Sequence, residues 1–240
     1  MLLIDSGNSR IKWKLVENGT CIHQGIATHA AWEDLRRAFS LLPQPHKIIV
    51  SNVAGSKVEQ NLREACAIWP APVEFLTASD ALCGVRNGYE QPAQLGSDRW
   101  AALIAAWHNE RSACLVVNCG TATTVDMLSN RGEFTGGLIL PGVEMMQRSL
   151  CEGTAGLKRA QGQYREFPLN TANAIVSGAI QATVGAIRRQ FGMLGAPSAR
   201  CLLSGGAAGL VAGHLDIPFE LVDDLVLRGL QIIGQETKSC

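Results

Sequence analysis

The 240-residue chain has no excess of either charge: Lys plus Arg and Asp plus Glu number 21 each. With no global field and no basic run, neither nucleic acid nor a membrane surface is an expected partner. It has no Cys-x-x-Cys pair. Its eight cysteines, Cys21, Cys66, Cys83, Cys114, Cys119, Cys151, Cys201 and Cys240, are scattered, most of them among apolar neighbours. They read as small buried hydrophobes of a reducing compartment. His23, His29, His46, His108 and His214 lack metal-ligand spacing, so no zinc site is expected. No basic segment precedes the first apolar residues, and Leu2-Leu3-Ile4 is too short for a secretory core. No apolar run approaches the ~20 residues of a membrane span. No stretch is low-complexity and no long linker separates domains. A soluble cytoplasmic protein is the expectation, with a substantial core given 47% hydrophobic and 18% charged residues.

What the chain does have is a repeat. Asp5-Ser6-Gly7-Asn8-Ser9-Arg10-Ile11-Lys12 follows the apolar run Leu2-Leu3-Ile4, and Asn118-Cys119-Gly120-Thr121-Ala122-Thr123-Thr124-Val125-Asp126 follows Leu115-Val116-Val117. Each copy reads carboxylate or amide, any residue, glycine, small polar residue, then a second apolar stretch: a strand, a tight turn and a returning strand. A turn glycine lets backbone N–H groups approach a ligand, and two such turns facing each other would clamp a polyphosphate. Asp5 could hold Mg²⁺, which uses one or two carboxylates plus phosphate oxygens. Lys12 could neutralise phosphate charge. The plainer reading of the first copy is an ordinary hairpin turn.

Periodicity and breakers predict strands at 11–15 and 20–26 around the Glu17-Asn18-Gly19 turn, a helix over 30–42, a strand at 47–52, a helix over 57–69 and a strand at 73–76. Residues 84–96 read as a long loop, and 97–110 as an alanine-rich helix. The pattern then restarts with strands at 114–118, 122–129 and 134–140, helices from 141 and over 171–191, a strand at 200–203, a helix after it and a last helix over 223–235. Residues 153–168 are the candidate mobile segment. The class is α/β, with two related halves, 1–112 and 113–240, sharing a cleft. This duplication resembles the actin-like group of acetate and sugar kinases, with ribonuclease H-like halves.

Other motifs carry two readings each. In Gly96-Ser97-Asp98-Arg99 at a helix start, Ser97 could cap the helix with Asp98 favourable in its first turn. Alternatively, Asp98 takes a proton from a substrate hydroxyl while Arg99 grips an anionic group; a cation in the first turn suits the second reading better. Ser204-Gly205-Gly206 ends a strand and opens a helix, as tight packing or as a phosphate contact. Glycines in Gly136-Gly137-Leu138-Ile139-Leu140-Pro141-Gly142 mark a bulge or a close ligand approach. The run from Asn170 to Gly178 reads as N-capping.

Taken in order, these pieces resemble the type III pantothenate kinase family, which includes proteins labelled Bvg accessory factor. The resemblance runs through Asp5-x-Gly7-Asn8-Ser9-x-x-Lys12, Tyr89-x-x-Pro92-x-x-Leu95-Gly96-x-Asp98-Arg99, Gly120-Thr121-Ala122-x-Thr124, Gly136-Gly137-x-Ile139-x-Pro141-Gly142, Asn170-Thr171-x-x-Ala174-Ile175-x-Ser177-Gly178, Ser204-Gly205-Gly206 and Asp224-Leu225-Val226-Leu227-x-Gly229-Leu230. It implies ATP-dependent phosphorylation of pantothenate to 4′-phosphopantothenate, the entry to coenzyme A synthesis. By the same resemblance, Asp5 to Lys12 would hold the ATP phosphates and Mg²⁺, with Asp5 as the Mg²⁺ ligand, and Thr121 would contact ATP. Asp98 would be the general base. Tyr89, Gly96, Ser97, Asp98 and Arg99 would line the pantothenate pocket, and Thr171 would reach it across a homodimer interface. A monovalent cation, K⁺ or NH₄⁺, is also implied. The family usually has Asp where this chain has Asn118, so weaker cation dependence is expected, with Asp126 a conceivable substitute. A regulatory or accessory protein on a degraded kinase scaffold is the alternative that Asn118 keeps open. A relative of the same fold acting on another small substrate is a third reading.

Overall fold

Alternating burial along residues 11–15 builds the first sheet. In a computed structural model describing residues 1–154 and 161–236, Ile11, Trp13 and Leu15 are buried while Lys12 and Lys14 are half-buried on the other face, the period of two expected of a pleated strand. The elements run β1 (Leu2–Ser6), β2 (Ile11–Glu17), β3 (Thr20–Ala27), α1 (Trp32–Ser40), β4 (Ile48–Asn52), α2 (Ser56–Cys66) and β5 (Val73–Phe75). The sheet order is β3-β2-β1-β4-β5. β1 is antiparallel to β2 and parallel to β4, and β4 is parallel to β5.

Asn18 and Gly19 have φ of 49° and 83°, the two-residue turn whose twist matches a hairpin. Gly25 lies opposite Trp13, and a Cβ there would sit 2.5 Å from the indole. The glycine therefore makes room for the ring, which meets Phe39 edge-on at 5.6 Å. Leu2, Ile4 and Ile11 of the sheet pack with Leu35 and Phe39 of α1 and Leu62 of α2 to form this core.

Next come β6 (Ala81–Leu82), β7 (Val85–Asn87) and α3 (Ser97–Glu110). The expected loop at 84–96 is thus partly ordered, with β7 at its start and a 3-10 turn at Pro92–Gln94. Cys83 and Gly84, with φ of 49° and 78°, form another primed turn. A cysteine in the place usually filled by Asn or Asp concealed it.

The second series is β8 (Cys114–Cys119), β9 (Ala122–Leu128), β10 (Glu133–Pro141), α4 (Val143–Gly153), α5 (Thr171–Met193), β11 (Arg200–Ser204), α6 (Ala208–Ala212), β12 (Phe219–Leu221) and α7 (Leu225–Glu236). Its strands lie in the order β12-β11-β8-β9-β10. β8 is antiparallel to β9 and parallel to β11, which is parallel to β12. Strand for strand this repeats the first sheet, with α4 and α5 standing where the first series has α1. Leu115, Val117, Val125, Ile180, Ile187 and Leu203 belong to its core. The register slips between Phe134 and Gly136, where Gly136 has φ of 128°, so the first glycine of that run marks a bulge.

Contacts divide the chain into Met1–Asn109 with Leu225–Cys240, and Glu110–Asp224. The halves expected at 1–112 and 113–240 follow chain order. α7 departs from that order because it packs on β1 and β4, and a Cβ at Gly229 would run into the Ala101 backbone of α3. The helix after Ser204-Gly205-Gly206 has only five residues, so its N-terminal dipole is small. Of the expected mobile segment, residues 155–160 lie outside the described residues, as does Cys240.

Candidate active site

Two parallel strands, β1 and β4, end side by side, with Ser6 in register with Asn52 and Asp5 with Ser51. Open α/β sheets bind ligands at the carboxyl ends of such strands. Asp5 is half-buried there and lies across the hairpin from Lys12. The turn between them is closed by the Gly7 N–H donating to the Arg10 carbonyl at 3.1 Å. Asn8, Ser9 and Arg10 are exposed at its tip, whereas Ser6 and Ile11 are fully buried at its base. Gly7 is not in the left-handed region, and the nearest atom to an added Cβ is the Arg10 carbonyl oxygen at 3.7 Å. This glycine leaves the turn uncrowded rather than permitting an unusual backbone.

β4 links this turn to α3. The Ser51 and Ser97 hydroxyls share a buried hydrogen bond of 2.9 Å. Ser97 is therefore not the cap of α3. Gly96 supplies the carbonyl that accepts the Trp100 N–H at 2.9 Å, and Ser97 is already the first helical residue. The hydroxyl that a capping role would have used is bonded sideways to the neighbouring strand.

Asp98 follows directly. Its Oδ1 accepts the Arg99 N–H at 2.8 Å and folds back so far that a Cβ on Gly96 would sit 2.6 Å from it. Glycine at 96 is what lets the carboxylate take this position. Burial pushes the Asp98 carboxyl above its ordinary value, and this outweighs the Arg99 N–H and guanidinium that pull it down. A partly desolvated carboxylate held beside a helix start is suited to accept a proton.

Arg99 is only 6% exposed. Its Nη1 donates to the Tyr89 hydroxyl at 2.8 Å, and its guanidinium lies 5.6 Å from the Tyr89 ring centre. The cation in the first helical turn is thus tied to the 88–92 loop. Asn87 shapes that loop: its Oδ1 accepts the Tyr89 N–H and its Nδ2 donates to the Pro92 carbonyl, both at 3.1 Å. Tyr89, Gly96, Ser97, Asp98 and Arg99 form one local group, and the Ser51–Ser97 bond joins it to the strand beside Asp5.

The second turn is built differently. Asn118 is half-buried, across from Thr124, and Thr121 is exposed. The Thr121 carbonyl accepts the Gly142 N–H at 2.9 Å, and the Cys119 carbonyl accepts the Ala207 N–H at 3.0 Å. A Cβ at Gly142 would strike the carbonyls of Gly120 and Thr121. At Gly205, which has φ of 99°, it would sit 2.6 Å from Asn118 Oδ1 and strike the Cys119 carbonyl. The glycine motifs at 142 and 205 therefore pack directly on this turn. Asp126 is buried, one side-chain repeat beyond Thr124 on the same face of β9.

Thr171 is exposed in the first turn of α5. Asn170 caps that helix by accepting the Asn173 N–H at 2.9 Å. Asn173 Oδ1 and Ser177 Oγ accept the N–H groups of Gln163 and Arg165, both at 2.9 Å. The polar residues of this motif thus cap the helix and strap residues 163–165 along it.

Among the described residues no three His, Cys, Asp or Glu side chains gather as a metal cage. Cys66, Cys114, Cys119 and Cys201 are fully buried, and burial pushes each thiol up to about 12, which keeps them inert. Ser51 and Asn87 were not singled out from sequence. The change from Ile48-Ile49-Val50 to Ser51-Asn52 at a strand end was the available signal for the first, while Asn87 offered none beyond being a loop amide.

The sequence model described as type III pantothenate kinase matches residues 1–192. A type III pantothenate kinase of Nitrosospira multiformis is 45% identical over 240 residues, covering 99% of this chain and 92% of that one. One from Aromatoleum aromaticum is 47% identical over 237 residues, covering 98% of each. Among solved structures, a Baf family protein of Campylobacter jejuni aligns over 100% of both chains with a TM-score of 0.65 at 21% identity. MreB5 of Spiroplasma citri bound to ADP aligns over 99% of this chain and 97% of that one with a TM-score of 0.55 at 11% identity. The fold is that of the actin-like ATPases and sugar kinases.

Proposed function

The chain belongs to the type III pantothenate kinase family, and from that premise we propose how its residues divide the work of ATP-dependent phosphorylation of pantothenate to 4′-phosphopantothenate, the first step of coenzyme A synthesis. The observation that carries the reading is Asp98: a carboxylate with a raised pKa, held over Gly96 and joined through the Ser51–Ser97 bond to the strand beside Asp5.

Phosphoryl transfer depends on positioning and charge neutralisation more than on covalent help. The exposed turn tip Asn8-Ser9-Arg10, with Ser6, Gly7, Ile11 and Lys12, would cradle the ATP phosphates. Asp5 is a half-buried carboxylate at the end of β1, and one carboxylate suits Mg²⁺, which completes its shell with water and phosphate oxygens. Asp5 would hold this ion, whose contribution is to neutralise phosphate charge. Thr121 would contact ATP. Asp98 would orient the primary hydroxyl of pantothenate and remove its proton, while Tyr89, Gly96, Ser97 and Arg99 line the pocket.

Asn118 would hold a monovalent cation, K⁺ or NH₄⁺, less firmly than the family's usual Asp, because an amide keeps the oxygen and loses the charge. A homodimer is proposed from Phe167 and Leu169, which are 81% and 96% exposed just before α5 and are the kind of apolar surface an interface covers. Thr171, in the first turn of α5, would then serve the partner's pantothenate. A cytoplasmic location is proposed for an enzyme of this metabolism; no helix among the described residues is long and apolar enough to cross a membrane.

The test is ADP release with and without pantothenate. Release that requires pantothenate supports the assignment. Release driven equally by another small alcohol, or none with any acceptor, overturns it.

A further inference from the structure

We infer that His29 is a positioning residue for the phosphate-binding turn. It lies two residues past the end of β3, and its Nε2 is 2.7 Å from the Gly7 carbonyl oxygen, 22 positions away in the chain. A carbonyl can only accept, so Nε2 carries a proton and donates it to Gly7. The other ring nitrogen, Nδ1, is buried with no hydrogen-bond partner among the described residues. The ring is not serving a second polar contact through that atom, and it rests against Trp32 with centroids 6.2 Å apart. Its polar contribution is directed at one peptide of the turn.

The position of that peptide matters. The carbonyl of Gly7 belongs to the same peptide plane as the N–H of Asn8. Fixing the oxygen towards His29 fixes that N–H on the opposite side. The Gly7 N–H is itself held by the Arg10 carbonyl, and no Cβ at Gly7 limits the peptide's rotation. Without the imidazole the Gly7–Asn8 peptide could flip, presenting a carbonyl where a phosphate needs a donor. His29 supplies from outside the turn the restraint that a glycine cannot supply from within.

The ATP consequence rests on the reading that this turn holds ATP phosphates, so the test has two arms. In the nucleotide-free protein, amide hydrogen exchange across residues 7–10 is compared among wild type, His29→Leu and His29→Gln, with β4 amides as the control for an intact fold. Exchange is expected to quicken about tenfold in His29→Leu, the size of one lost hydrogen bond. It should stay near wild type in His29→Gln, whose amide can donate from the same place. In the second arm, KM for ATP is expected to rise by a similar factor in His29→Leu, with KM for pantothenate unchanged and His29→Gln rescued. Unchanged exchange in His29→Leu, or equal loss in both variants, overturns the inference. Asp5→Asn separates the premise: if it leaves ATP affinity at the wild-type value, the ATP reading of the turn fails, and the predicted KM effect of His29 fails with it. If Asp5→Asn weakens ATP and His29→Leu does not, the fault lies with His29 alone.

Discussion

The two glycine hairpins occupy the same place in sheets of the same strand order, yet their surroundings differ. The first, at residues 5–12, is exposed at its tip, carries a carboxylate and lies opposite a lysine. A Cβ added at its glycine would meet nothing closer than 3.7 Å. The second, at 118–124, carries an amide, is bonded through its carbonyls to Gly142 and Ala207, and is pressed by Gly142 and Gly205. A duplicated backbone has kept its topology while the residue heading each turn differs, a carboxylate at Asp5 and an amide at Asn118. The first turn sets a carboxylate opposite a lysine, as the proposed metal–phosphate site requires, and the second is fitted into its own scaffold.

Matched substitutions would break this comparison most sharply at the polar head of each turn. Asp5→Ala is expected to lower kcat/KM by on the order of 10²–10³, the cost of removing a charge-stabilising group, while Asn118→Ala is expected to cost less, because the group lost there carries no charge. Equal losses in initial-rate assays would contradict the asymmetry. For stability the order reverses. Gly142→Ala forces a methyl into the Gly120 and Thr121 carbonyls and should cost about 1–3 kcal/mol in denaturant unfolding. Gly7→Ala should fall within about 0.5 kcal/mol of wild type.

The pH profile sharpens the comparison from the substrate side. A base works when ionised, so activity is lost as pH falls through its pKa. Burial raises the Asp98 pKa above 3.8, which moves the acid limb of kcat/KM upward, with rate falling tenfold per pH unit below it. A limb at or below the ordinary carboxylate value would remove Asp98 from this role. The smallest effect concerns the cation. Asn118→Asp restores a charge at a half-exposed position, where solvent screening trims the Coulomb gain, so half-saturating K⁺ should fall about two- to tenfold. Superimposable K⁺ titrations would count against Asn118 as a cation ligand.

Much of this was legible in the sequence because strand alternation and turn residues are local signals. The hairpin at Asn18-Gly19, α3, and the doubled strand–turn–strand pattern all follow from neighbours along the chain. What was not legible depended on partners distant in sequence. Ser97 looked like a cap until Ser51, 46 residues away, was seen to take its hydroxyl. Arg99 looked misplaced until Tyr89 appeared as its acceptor. α7 belongs with the first unit because β1 and β4 lie beneath it, a fact its position near the chain end hides. Cys83-Gly84 escaped notice because turn geometry tolerates a residue that turn statistics do not favour.

The central claim is that Asp98 accepts the proton of the attacking hydroxyl. It is tested most directly by measuring single-turnover phosphorylation of pantothenate alongside ATP affinity in wild type and Asp98→Asn. Because burial disfavours the charged carboxylate, its stabilising share is present at acid pH and lost above the raised pKa. The neutral variant should therefore be at least as stable as wild type near pH 7. The account predicts unchanged ATP affinity with phosphoryl transfer slowed by about 10²–10⁴-fold. Transfer at the wild-type rate in that variant would contradict it.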